Sequence, residues 1–301
     1  MTYVKVTLVS HVNNDGDIIQ AWLDHYRGLG VEEFHLVLHG AASENAALAD
    51  LVHSYPVVVR DAYQGEFLAA EKQRRVDALL ATLAGRWVFV VDSDEFVEIP
   101  HHSLAATIRA LERANADTLP APMIQRIRID GSLESSPAIA DPSREFPLCS
   151  VDLYRHMGVS AAVAKYPLVL CRTETRLIEA GNHHPPLGSR PPNGSLRGVT
   201  HHYKWRTSTL ERIRNRATSG HEWRAESEKY LEYLVAHRER LPLKGAFLYS
   251  RRALFERDLL RRPSWHRNVA EVVRQLDAVL PQRVHDVLRR AYRVLRGRMS
   301  R

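Results

Sequence analysis

The chain has 301 residues, of which 45% are hydrophobic and 26% charged, a balance that fits one large globular domain or two modest ones. Its net charge of +7 is unevenly split: residues 1–150 carry 12 Lys+Arg against 21 Asp+Glu, and residues 151–301 carry 30 against 14. The acidic front half argues against nucleic-acid binding along the whole chain, while the basic rear half suits phosphates, an anionic acceptor or an anionic membrane.

The opening residues MTYVKVTLVSHVNNDGD lack a basic start followed by a long apolar core, so no signal peptide is expected. No stretch approaches the ~20 apolar residues that span a bilayer. Cys149 and Cys171 share no metal-ligand spacing and read as reduced thiols of a cytoplasmic protein.

Tyr3 to Ser10 reads as a first strand, followed by the polar loop 11–16 and a helix from Asp17 to Leu29 with apolar Ile18, Ile19, Trp22, Leu23 and Tyr26, stopped by Gly30. Phe34 to Leu38 is a second strand. Ser43 is expected to cap a helix running to about His53, and Pro56 to Arg60 is a third strand. Glu66 to Leu83 reads as a long helix, Trp87 to Val91 as a fourth strand, Ser103 to Ala114 as a helix, and Thr118 to Ile129 as β. Asp130 to Pro147 reads as a loop over the site, Lys165 to Arg172 as a strand, and 180–198 as irregular. The chain is expected to be helical from Ser208 on. This alternation predicts an α/β architecture, a mostly parallel Rossmann-like sheet with flanking helices. The expected domains are a catalytic one at 1–207, with halves of about 1–100 and 101–207, and an Arg-rich helical extension at 208–301.

The most informative stretch is Arg86 to Val97, RWVFVVDSDEFV. Five apolar residues run into Asp92-Ser93-Asp94-Glu95. Carboxylates at the end of a strand buried on both faces are costly unless something cationic offsets their repulsion. A divalent cation with oxygen ligands is the simplest such partner, and it suits a leaving diphosphate that needs a Lewis acid. The bland alternative makes Asp92 a turn cap and Glu95 a surface charge.

At these residues the chain resembles family-2-like glycosyltransferases of the GT-A fold, the bacterial group akin to family 92. Asp17 to Phe34 (DIIQAWLDHYRGLGVEEF) is similar to their E-x-x-I-x-E-W-x-x-H-H-x-x-L-G-V-x-x-F stretch, and WVFVVDSDEF to their W-x-x-x-x-D-x-D-E-F hallmark. Gln73 stands where they carry a glutamine, Gly181-Asn182-His183 resembles their G-N-H, and His202 to Thr207 their H-x-x-x-R-S. The resemblance covers roughly residues 3–220. It implies an enzyme of the EC 2.4 class that moves a sugar from a UDP- or GDP-sugar to an acceptor hydroxyl, with Mn²⁺ or Mg²⁺ and inversion at the anomeric carbon. Surface glycan or polysaccharide assembly is the setting it suggests, with a glycan or lipid-linked acceptor.

Carried over residue by residue, the resemblance implies Asp92 and Asp94 as metal and nucleotide carboxylates, and His183 or His202 as a late histidine on the metal or diphosphate. Lys165 and Arg206 become diphosphate partners, and Asn13 and Asp15 donor-binding residues of the first loop. His39-Gly40 replaces the usual acidic or Asn residue after the second strand, and Asn13-Asn14-Asp15 the usual Asn-Glu, which leaves base and sugar open. The adjacent pairs His183-His184 and His201-His202 must point apart, so at most one of each is expected to face the site. An inverting transfer needs a general base; the loop 130–152 offers Asp130 and Glu134 first, then Asp141, Glu145 and Asp152.

Residues 251–301 carry 14 Lys+Arg against 5 Asp+Glu. Within 282–297 an apolar face opposes an arginine face, which reads either as a helix docked on the catalytic domain or as an interfacial helix at the inner face of an anionic membrane. Two further function classes are carried: a binding module on anionic lipid or nucleic acid through the rear half, and a metal-dependent phosphohydrolase. Neither accounts for the carboxylates and the ordered motifs together.

Overall fold

The computed structural model describes residues 5–159, 164–179, 181–192, 196–218 and 222–256. The segment 282–297 lies outside them. In chain order the elements are β1 (Val6–Val12), α1 (Ile19–Leu29), β2 (Glu33–His39), α2 (Ala46–Leu51), β3 (Val57–Tyr63), α3 (Ala69–Ala81), β4 (Trp87–Val90), β5 (Glu95–Glu98) and α4 (Leu104–Arg113). They continue as β6 (Thr118–Ile127), α5 (Pro142–Glu145), β7 (Leu148–Ser150), α6 (Leu153–His156), β8 (Ala164–Leu170), β9 (Val199–His202), α7 (Thr207–Thr218), α8 (Arg224–Ala236), β10 (Phe247–Leu248) and α9 (Arg251–Glu256).

The sheet runs β10-β7-β6-β8-β4-β1-β2-β3. Strands β3, β2, β1 and β4 are parallel. β8 joins β4 antiparallel, and β6 joins β8 antiparallel. All seven residues of β1 and all four of β4 are buried, as continuous apolar runs in a covered parallel sheet require. Alternate residues feed opposite layers. Leu8 and Phe89 pack with Trp22 and Tyr26 of α1, whereas Val9, Val88 and Val90 pack with Val76 and Leu80 of α3. Helix α1 ends at Gly30, whose φ of 97° is left-handed and whose N–H reaches the Tyr26 and Arg27 carbonyls.

The chain steps outward from β1 to β2 to β3, then returns to lay β4 on the other side of β1. This reversal opens a crevice beyond the carboxyl ends of β1 and β4, the place where sheets of this kind hold ligands. There β5 leaves the main sheet and pairs antiparallel with β9, which in turn lies parallel to β6.

Several boundaries differ from expectation. The helix expected from Ser43 starts at Ala46 with Asn45 as its N-cap residue. The helix expected over 66–83 spans Ala69–Ala81, and Leu68, 46% exposed, stands before it in extended backbone. The loop 130–147 holds one short helix, α5, capped by Asp141, whose carboxylate accepts from the Ser143 and Arg144 amides. Strands do not stop near 208, because β10 pairs with β7. Nor does the helical region there stand apart: Ile213 of α7 and Tyr230 and Leu234 of α8 share a core with Met123, Ile127 and Trp205. Among the described residues no helix is long and apolar enough to cross a membrane.

Candidate functional site

The turn after β4 is fixed from below by the apolar face of α1. The Trp22 indole N–H donates to the Asp92 carbonyl at 3.1 Å, and the Tyr26 hydroxyl donates to the Glu95 carbonyl at 2.9 Å. The Tyr203 amide, just beyond β9, donates to the Asp94 carbonyl at 2.9 Å. With its backbone held at three points, the turn projects its carboxylates into the crevice.

Their cationic partners are lysines. Lys72 Nζ lies 2.6 Å from Asp92 Oδ1, and Lys165 Nζ lies 2.6 Å from Glu95 Oε1 and 4.0 Å from Asp92 Oδ2. Both lysines and Glu95 are buried. Burial opposes the charge on Asp92, but the ammoniums of Lys72 and Lys165 hold its carboxyl below the usual range. Burial likewise opposes the charge on Lys165, which Glu95 and Asp92 restore and raise. Lys72 was not singled out in the sequence. The signal was there, since Lys72, Val76 and Leu80 stand at successive i, i+4 positions on the buried face of α3.

Asp94 differs from its neighbours. Among the described residues its ion-pair contact is the His202 ring, with Nε2 at 3.4 Å from Oδ2. Burial opposes its charge, yet His202, Arg206 and Arg212 hold the Asp94 carboxyl far below its ordinary value. Asp94, Glu95 and His202 bring three potential ligand atoms within 4.8 Å of one another. Since Lys165 occupies Glu95 and Lys72 occupies Asp92, this donor set fits a Mg²⁺ or Mn²⁺ held through one carboxylate, with oxygens from outside the chain completing the shell. It does not form an all-protein cage.

Among the described residues, two buried polar atoms that line the site with the lysines have no hydrogen-bond partner: Ser10 Oγ, within β1, and Asn182 Oδ1. Both residues line a pocket shared with His11, Lys72, Asp92 and Lys165. Buried polar atoms of this kind are met by water or ligand.

The neighbouring strand ends carry rings. His11, His39 and Tyr63 lie at or beside the carboxyl ends of β1, β2 and β3; His39 stacks on Tyr63 at 4.6 Å, and His11 Nε2 lies 2.9 Å from the Tyr63 hydroxyl. Phe67 closes on both histidines at 5.8 Å, and Trp223 on Phe67 at 4.9 Å. Asn13 donates to the His39 ring and carbonyl at 2.9 and 3.1 Å. Burial and nearby Lys72 push the His11 imidazole down to about 3, so it is neutral. The sequence reading missed this shelf, because its rings come together only once three parallel strands are aligned.

Asp15 and Arg206 are placed together and buried. Arg206 is fully buried, 2.6 Å from Asp15 Oδ1 and 2.9 Å from Asp17 Oδ2; Asp15 also meets Arg212 at 3.2 Å and accepts from the Ser93 hydroxyl. Gln73 donates to the Leu177 carbonyl at 2.6 Å. The Gly-Asn-His sequence has a local reason: a Cβ on Gly181 would fall 2.5 Å from the His183 ring, and Asn182 donates to the Tyr166 carbonyl at 2.6 Å. His183 Nδ1 lies 2.9 Å from the Ala164 carbonyl, which can only accept, so Nδ1 carries the hydrogen and Nε2 the lone pair. Burial and Lys165 drive His183 well below its ordinary value. His201 and His202 face opposite ways, His201 toward Arg126 and Glu98 and His202 toward Gln125 and Asp94. Asp130 is exposed and tied to Ser132 and Arg240, and Glu134 is exposed; among the described residues no hydrogen bond or ion pair joins either to the carboxylate turn.

No family model matches the chain, and no curated protein matches it. Among solved structures it is similar to Staphylococcus aureus TarS 1-349 in complex with UDP-GlcNAc, with 14% identity over 96% of this chain and 87% of that one and a TM-score of 0.39. It is also similar to HddC from Yersinia pseudotuberculosis (12% identity, 56% and 74% covered, TM-score 0.26). A third is 4-diphosphocytidyl-2C-methyl-D-erythritol synthase from Anaerococcus prevotii (12%, 45% and 61%, 0.27). With these TM-scores below 0.5, the functional conclusion rests on the site itself.

Proposed function

We propose that the chain is a glycosyltransferase of GT-A type that moves a sugar from a UDP- or GDP-sugar to an acceptor hydroxyl with inversion, using Mn²⁺ or Mg²⁺. The observation that carries this reading is the juxtaposition at the β1/β4 reversal of three carboxylates, two buried ammoniums and a shelf of rings on the adjoining strand ends. A nucleotide sugar needs those parts in that order. Rings stack on a base, and cations meet a diphosphate. Ser10 and Asn182 supply polar atoms for the ribose region between them.

In this reading Asp94 holds the metal, and the metal, when bound, neutralises charge on the leaving diphosphate as a Lewis acid. Lys72 keeps Asp92 ionised and oriented, and Lys165 orients Glu95, whose carboxyl burial raises above its ordinary value against the pull of that ammonium. Arg206 keeps the first loop against the turn through Asp15, whose partner Ser93 lies between Asp92 and Asp94. Asp130 and Glu134 are our candidates to take the acceptor proton from the loop side. Capsule or other surface-glycan assembly is the proposed setting.

Calorimetry with UDP- and GDP-sugars, with and without Mn²⁺, tests the proposal. Mn²⁺ is expected to tighten one donor by about tenfold or more, equivalent to about 1.4 kcal/mol, and Asp94→Ala to abolish that gain. Binding that ignores Mn²⁺ in both proteins would remove the metal from the proposal, and absence of any nucleotide-sugar binding would remove the donor.

A further inference from the structure

His202 sits where three strands meet: it is paired with Glu95 across β5/β9 and with Gln125 across β9/β6. Its ring continues a chain of polar contacts that has a fixed direction. The Trp205 indole N–H, which can only donate, lies 3.1 Å from Gln125 Oε1. That settles the amide orientation and leaves the Gln125 NH₂ facing His202 Nδ1 at 3.0 Å. Trp205 is fully buried and Gln125 is 2% exposed, so water cannot take over a mismatched bond. Facing a donor, Nδ1 must present its lone pair. The ring hydrogen is therefore on Nε2, the atom 3.4 Å from Asp94 Oδ2.

We infer that Trp205 and Gln125 hold His202 as its Nε2–H tautomer, so that His202 serves the site as a hydrogen-bond donor toward Asp94 and a phosphate oxygen beside it, and is not a ligand of the metal. The inference rests on the proposed placement of the ion at Asp94. A metal-ligating histidine offers a lone pair and donates its other N–H to an acceptor. His183 has that pattern, with Nδ1–H on the Ala164 carbonyl; His202 has the reverse. Turning Gln125 over to accept from Nδ1 would set its NH₂ against the Trp205 N–H and leave two buried donors facing each other. At 3.4 Å the gap to Asp94 exceeds a direct N–H···O bond of about 2.7–3.2 Å, and it suits an oxygen that both His202 and a metal on Asp94 can share. Gln125 and Trp205 are thus positioning residues that act through His202.

The test is spectroscopic first. Long-range ¹H–¹⁵N spectra of the metal-free full chain, ¹⁵N-labelled at histidine and assigned by loss of one ring system in His202→Ala, report which nitrogen bears hydrogen. A protonated Nε2 with a bare Nδ1 is expected, and a protonated Nδ1 overturns the inference. Gln125→Glu, which accepts from both Trp205 and Nδ1, is expected to exchange the two signals.

Metal binding gives a second readout. Mn²⁺ titration followed by electron paramagnetic resonance should find the wild-type affinity changed less than about threefold in His202→Ala. Gln125→Glu should gain about tenfold or more, a gain lost in the Gln125→Glu/His202→Ala double variant, in line with the 10–100-fold effects of supporting residues on metal sites. A tenfold loss on His202→Ala alone overturns the inference. Failure of the wild type to bind Mn²⁺ with the Nε2–H tautomer present overturns only the metal in the proposed function.

Discussion

A carboxylate buried at the end of an apolar strand must be neutralised by something within a few ångströms. From the sequence a divalent ion was the simplest candidate, and the chain supplies two ammoniums first, Lys72 for Asp92 and Lys165 for Glu95. The same crevice charges suppress protonation of their neighbours. His11, which is 6% exposed, titrates near 3 in the fold because burial and Lys72 disfavour its cation. In the unfolded chain it titrates near 6.5. The sign follows from linkage: below about 6.5 the unfolded chain binds a proton that the fold refuses, so stability falls with pH until the folded value is passed. From pH 6.5 to 5 His11 alone is expected to cost about 1.6 kcal/mol. Urea unfolding of His11→Gln should accordingly show less acid sensitivity than wild type across that interval. A slope equal to wild type would mean that His11 charges in the fold.

At the scale of elements, the pairing of β5 with β9 brings His202 opposite Glu95. Gly198, one residue before β9, donates to the Pro120 carbonyl at 3.1 Å, and a Cβ there would stand 2.8 Å from the Glu98 carbonyl and 3.2 Å from Leu119. Gly198→Ala must move β9 away from β5, at a cost of about 1–3 kcal/mol for overpacking. Gly28→Ala, within α1 with nothing inside 4 Å of the new atom, is the control and should stabilise by about 0.5–1 kcal/mol through helix propensity. Chemical denaturation should separate the two by a fall and a rise in midpoint. Equal midpoints would show that β9 has room. The apolar strands, the α1 face with its Gly30 stop, and the carboxylate turn after WVFVV were all legible, since each is written in consecutive or periodic residues. Lys165 and His202, which meet that turn, were named through the resemblance, but Lys72, Gln125 and the shelf of His39 and Tyr63 were not, because they acquire their neighbours through strand order and register, which no local window contains. Two polar residues, Gln125 and Arg126, inside the fully buried β6 were the readable sign that the strand does more than fill a core.

At the scale of the molecule, distant segments of the chain are joined through a buried guanidinium. Arg206 stands just before α7, and Asp15 and Asp17 belong to the loop after β1, 191 and 189 positions earlier. Burial opposes the charge on Arg206, but Asp15 and Asp17 hold it charged and raise it further. Asp15 passes the constraint on to Ser93 within the carboxylate turn. The resemblance places this arginine on the diphosphate; its full burial and two carboxylate partners give it a structural reason to exist before any donor binds. Removing one member of such a buried network leaves the others charged and unpaired, which costs about 3–5 kcal/mol. Arg206→Met is therefore expected to destabilise by that amount, with Arg212, 3.2 Å from Asp15, limiting the loss. Arg206→Met combined with Asp15→Asn and Asp17→Asn should recover much of the loss, because the triple variant buries no orphaned charge. Thermal denaturation of the three proteins, wild type and the two variants, at pH 7 checks this. A loss below about 1 kcal/mol in Arg206→Met, the level of an exposed ion pair, would release Arg206 from the lock and return it to the crevice as a direct diphosphate partner.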